Sequence, residues 1–157
     1  MPSEKEREVV LQRQLAFPPG LVWTAMTVAE HVNQWFGPDG FKNERVTMDF
    51  RVGGAWTFDM VAPDGTRYPN HCVFKEIVPM VRMVYDQGDG ARVWFETTIT
   101  LEETAGGTLL TIRQLFPTRE ERDHVVTTYG AIEGGKQHLA KLDAYLGQQL
   151  GKGRAST

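Results

Sequence analysis

The chain has 157 residues, and its 17 Lys+Arg against 20 Asp+Glu leave a formal charge of −3, with 41% hydrophobic and 24% charged residues. This is the make-up of an ordinary single globular domain. The balance excludes broad nucleic-acid binding, which needs a basic face to release counterions. A lone cysteine, Cys72, excludes a disulfide framework and any CxxC zinc or redox motif, and no apolar stretch reaches the roughly 18–20 residues of a membrane span.

The opening MPSEKEREVV is charged, so it is not read as a secretory signal, and a cytoplasmic location is expected. With neither repeats nor linkers, residues 1–157 read as one domain with an ordered core over 8–150; Met1 to Glu6 and Gly151 to Thr157 offer little to pack. Val9, Leu11, Leu15 and Phe17 alternate with Val10, Gln12, Gln14 and Ala16, which predicts a half-buried strand. Arg13 shares the apolar side and needs a partner, with Asp49 or Glu96 the expected carboxylates. Pro18-Pro19-Gly20 ends the strand, and Val22, Trp23 and Met26 then recur at helical spacing. Thr27-Val28-Ala29-Glu30 reads as a capping box opening a second short helix that ends by Gly37-Pro38.

From Lys42 the period is two. Val46, Met48, Phe50 and Val52 share one face before the turn at Gly53-Gly54. Trp56, Phe58 and Met60 lead to Pro63-Asp64-Gly65, then Cys72 and Phe74 to Val78-Pro79. Val81, Met83 and Tyr85 follow, and Gly88-Asp89-Gly90 turns the chain into Val93, Phe95, Thr97, Ile99 and Leu101, with Trp94 on the opposite face. After Gly106-Gly107 come Leu110, Ile112, Gln114 and Phe116. Short strands joined by tight turns describe an antiparallel meander. Thr118-Arg119-Glu120-Glu121 is another capping box, and behind it Val125, Tyr129, Ile132, Leu139, Leu142 and Leu146 form one apolar stripe on a long helix. Gly134-Gly135 inside that helix costs about 1 kcal/mol per glycine against alanine, so the pair implies a close approach to the sheet, a kink or reserved space. The pattern is α+β: a curved seven-stranded antiparallel sheet wrapping a long C-terminal helix, with two short helices between strands 1 and 2.

The segments PPGLVWTAMTVAEHVNQWFGPDGF, MDFRVGGAWTFDM and APDGTRYPNHCVFKEIVP resemble the START-like, helix-grip superfamily, nearest to homologues of the Aha-type activator of the heat-shock-chaperone ATPase. The resemblance rests on Trp23, Trp35-Phe36-Gly37-Pro38, Gly53-Gly54, Pro63-Asp64-Gly65 and Glu76-Ile77-Val78-Pro79, and runs from about Val9 to Leu146. It implies a helix-grip fold around a cavity for an apolar small molecule, and it brings no catalytic motif to carry over. Two departures reshape that cavity: Cys72 stands where many relatives have glycine, and Gly134-Gly135 where many have Gly-Trp.

The expected cavity wall comprises Trp35, Trp56, Phe58, Phe74, Met83, Tyr85 and Phe95, with Met60 in the same apolar set. Thr97, Gln114, Tyr129 and Glu133 supply its polar points, Glu133 as a polar anchor or base at the mouth. His71 and Cys72 are strand neighbours and should point apart, which excludes a Cys/His dyad. His31, His71, His124 and His138 have no metal-ligand spacing, so neither a metal nor a cofactor is expected. The first reading is therefore binding or sensing of a small apolar ligand. Alternatives are a cyclase- or dehydratase-type enzyme using Glu133, Tyr85 or Tyr129, and an interaction module for a chaperone ATPase. Open strand edges and Trp94 also suit pairing of two copies as a homodimer.

Overall fold

The computed structural model describes residues 3–150. Seven strands, β1 (Glu8–Leu15), β2 (Lys42–Met48), β3 (Ala55–Val61), β4 (Arg67–Val78), β5 (Arg82–Gly88), β6 (Val93–Thr104) and β7 (Gly107–Leu115), form one sheet in the order β1-β7-β6-β5-β4-β3-β2. Every neighbouring pair is antiparallel. Strands adjacent in sequence pair directly, except that β1 and β2 lie at opposite edges. The chain between them must therefore cross a face of the sheet, and it does so as two helices, α1 (Pro19–Thr27) and α2 (Ala29–Trp35).

The expected α+β helix-grip architecture is present, with four local differences. Thr27 does not open α2: it is the last residue of α1, its hydroxyl donates to the Trp23 carbonyl, and Val28 caps α2 without a side-chain bond. Thr118 does cap the following helix, accepting from the Glu121 N–H at 3.1 Å. The C-terminal helix is divided at Gly130, whose left-handed φ of 60° glycine adopts without steric cost, into α3 (Arg119–Tyr129) and α4 (Ala131–Tyr145). The third difference is Arg13, which faces the core side of β1 as expected but pairs with Asp143 of α4 at 2.9 Å. Asp49 and Glu96 are taken locally, by Arg51 and Lys75 respectively. Finally, Glu4–Arg7 is a single 3-10 turn, held by Glu4 to Arg113 at 3.0 Å. The Gly151 to Thr157 tail lies outside the described residues.

The core sits between the sheet and the helices. Leu11 and Leu15 of β1, Leu110 and Ile112 of β7, and Ile99 and Leu101 of β6 meet Leu139, Leu142 and Leu146 from the C-terminal segment. Burial of such side chains is worth about 1.5–3 kcal/mol each. By contrast α3 buries no residue fully; Val125 and Val126 only lean on the core. One part of the helix grip is packed solid and the other is not.

Candidate functional site

That looseness leaves two adjoining spaces. An inner chamber of about 230 Å³ lies between the sheet, α2 and the start of α4, and an outer groove of about 590 Å³ runs beneath α3. They share Met60, Phe95, Val125 and Tyr129, which stand at the boundary between them. Tyr129 is 64% exposed and forms the rim.

Alternation along the strands builds the chamber floor. Trp56 of β3, Phe74 of β4, Met83 and Tyr85 of β5, and Thr97 of β6 all face inward because they sit at period-two positions. Gln114 of β7 pairs in register with Thr97 and lines the same wall. Trp35 closes the far end, its indole N–H donating to the Ala25 carbonyl at 3.0 Å. Of the residues expected in the wall, then, all line the chamber except Phe58 and Glu133.

Phe58 lies on the expected face but is covered: Phe36 packs edge-on against it at 5.3 Å and against Trp56 at 4.9 Å. Glu133 is exposed: nine residues before the buried Leu142 in α4, it lies on the opposite face of the helix. Tyr129 and Ile132 flank the break at Gly130 and are exposed, so the fully buried part of the stripe begins at Leu139. Trp94 also departs from its expected outward position. Gln87 pairs with Phe95 and Gly88 with Val93, so Trp94 is the extra residue of a β-bulge. The bulge turns it, beside Phe95, into the outer groove.

His138 was not anticipated. It reaches the chamber from α4, with its ring centroid 4.8 Å from Trp35 and 4.6 Å from Phe36. Its Nδ1 accepts from the Gly37 N–H at 2.9 Å, so the neutral ring carries its proton on Nε2. The residue keeps some accessible surface, but enclosure of the imidazole, reinforced by the Lys141 charge, holds its pKa down to about 3. The signal was present: Gly135, His138, Leu139 and Leu142 follow helical spacing on the face turned to the core. Gln137 accepts from the Asp39 N–H and Lys141 donates to the Pro38 carbonyl, so three residues of α4 staple the Gly37-Pro38-Asp39 turn.

The chamber wall contains no Asp, Glu, Lys or Arg. Burial pushes the Tyr85 phenol well above the ordinary tyrosine range, and the Cys72 thiol, behind the wall, rises for the same reason. His71 and Cys72 do point to opposite sides of β4, and Cys72 is fully buried. Among the described residues no three His, Cys, Asp or Glu side chains converge as a metal would require, and no helix is long and apolar enough to cross a membrane. What this wall offers chemically is apolar contact and neutral hydrogen bonding.

Comparison with known proteins gives one family match. The model for "Activator of Hsp90 ATPase homolog 1-like protein" matches residues 16–147. No curated protein matches. Among solved structures, a protein of Nitrosomonas europaea is similar at 27% identity with a TM-score of 0.85, covering 93% of this chain and 97% of that one. A protein of Chromobacterium violaceum is similar at 28% identity and a TM-score of 0.75, covering 87% and 95%. A Mycobacterium smegmatis protein shares the fold at 21% identity and a TM-score of 0.80, covering 92% and 93%.

Proposed function

The chain belongs to the Activator of Hsp90 ATPase homolog 1-like family, and from that premise we propose that it binds a small apolar molecule in the chamber beneath its C-terminal helices. One observation carries the reading: an uncharged, largely apolar chamber adjoins a groove that reaches solvent under a helix with no fully buried residue. Ligand pockets combine an apolar wall with a few placed polar groups in this way. An acid–base enzyme has less support. Tyr85 with a raised pKa can donate but not abstract a proton at neutral pH, and Glu133 is outside the chamber.

Titration with the neutral fluorophore Nile red tests the proposal. Saturable binding with a blue-shifted emission is expected. Phe95→Ala should weaken it about tenfold, in line with loss of a buried aromatic contact. Val125→Trp, which crowds the boundary from the partly exposed helix α3, should do the same without opening a cavity in the sheet. Non-saturable, unspecific emission in the parent chain would retire the reading. A chaperone-directed role draws on the family name alone; stimulation of a chaperone ATPase by the purified protein would be its test.

A further inference from the structure

The chamber floor holds polar atoms that nothing in the fold pairs. Trp56 Nε1 and Thr97 Oγ1 are enclosed and lack a hydrogen-bond partner. Their residues are 4% and 1% exposed. Both neighbour Tyr85: the Trp56 and Tyr85 rings meet edge-on at 5.8 Å, and Thr97 is the cross-strand partner of Tyr85. The Thr97 hydroxyl is near enough to favour ionisation of the phenol slightly but is not in hydrogen-bonding geometry. An indole N–H can only donate, whereas a threonine or tyrosine hydroxyl can donate or accept. A buried polar group left unpaired costs about 1–3 kcal/mol, and native folds carry few of them. All three residues line the chamber, so two unpaired polar groups gather around one tyrosine at its floor. The His138 Nε2–H adds another donor to the same chamber.

We propose that this patch recognises a hydrogen-bond acceptor on an uncharged ligand: a ring-sized apolar molecule whose buried end carries a carbonyl oxygen. The inference rests on the reading of the chamber as a binding site and adds the ligand's chemical class. The donors select the acceptor. The lack of any cationic side chain in the wall selects against a carboxylate, whose charge would be stripped of water without a counter-ion.

Three naphthalenes of nearly equal size separate these contributions: 2-acetonaphthone, 2-ethylnaphthalene and 2-naphthoate, each titrated at pH 7.5 in competition with Nile red. The ketone is expected to bind roughly 3–10-fold more tightly than the hydrocarbon, the worth of one neutral hydrogen bond. The carboxylate should be about 100-fold weaker than the ketone or worse. Tyr85→Phe and Thr97→Val, checked for folding by circular dichroism, should each reduce the ketone's advantage, which then rests on the Trp56 and His138 donors, and leave the hydrocarbon's affinity within about twofold. Equal binding of ketone and hydrocarbon, or tightest binding by the carboxylate, would overturn the acceptor patch while leaving an apolar binding site intact. Failure of all three compounds and of Nile red to saturate would overturn both. The ranking in the parent chain is decisive even where a variant does not fold.

Discussion

At the scale of single residues, His138 ties the site to the fold. Its Nδ1 holds the Gly37 N–H, and a protonated ring would lose that acceptor and place a charge among Trp35 and Phe36. The folded-state pKa is about 3 against an ordinary 6.5. Below pH 6.5 the unfolded chain takes up a proton that the folded chain refuses, so stability drops as pH falls across the window from 6.5 to 3. At 1.36 kcal/mol per unit, the loss between pH 7 and pH 5 is about 2 kcal/mol. Urea unfolding at pH 7, 6 and 5 measures it. His138→Gln keeps an acceptor for Gly37 and cannot titrate, so its stability should fall less over that interval, by about the same 2 kcal/mol. Parallel slopes for the two proteins would show that His138 takes up its proton as readily in the folded chain as in the unfolded one.

At the scale of elements, the adjacent glycines of α4 do different things. A Cβ on Gly135 would lie 2.2 Å from Leu11 Cδ1, whereas one on Gly134 would meet Pro38 at an ordinary 3.5 Å. Gly134→Ala should therefore stabilise the protein by up to about 1 kcal/mol through helix propensity. Gly135→Ala should destabilise it by about 1–2 kcal/mol, because overpacking against β1 outweighs the same propensity gain. Leu11→Ala, costly alone, should absorb most of that penalty in the double variant, a coupling that thermal or urea unfolding of the four proteins would read. Equal effects of the two glycine substitutions would place α4 differently against β1. The glycine pair as such was visible in the sequence, but a close approach to the sheet was only one of three readings it left open, beside a kink and reserved space. Alternation likewise placed Trp56, Tyr85 and Thr97 on one wall, since a period of two leaves little choice once one face is buried. Three things were not legible. A bulge adds one residue without any compositional mark, so Trp94 was placed on the wrong face. One left-handed residue at Gly130 breaks the helix where one long stripe was expected, and leaves Tyr129 and Ile132 exposed on either side of it. Local pairing of Asp49 and Glu96 depends on strand register, which leaves Arg13 to find Asp143 across 130 residues.

For the whole molecule, the chamber is volume that a filled core would turn into stability. The sheet and α4 close tightly around Leu139, Leu142 and Leu146, yet the grip slackens toward α3 and leaves about 230 Å³ unfilled. Empty volume forfeits dispersion contacts, at about 24 cal/mol per Å³ where it has been measured in cavity-creating variants. A fold selected only for stability would fill that space. Ala131, at the start of α4, lines the chamber with the smallest side chain that still has a Cβ. Ala131→Leu should extend into the void and raise the unfolding free energy by about 0.5–2 kcal/mol, as cavity-filling changes commonly do. For a chain of this length that is a rise of a few degrees in Tm, at about 2–4 °C per kcal/mol. The same substitution should weaken Nile red at least about tenfold, because the leucine takes the ligand's place. Differential scanning fluorimetry and the fluorescence titration, run on one preparation, read both effects together. A variant that gained stability and kept its affinity would mean that the probe sits in the outer groove, beneath α3, and that the inner chamber plays no part in holding it.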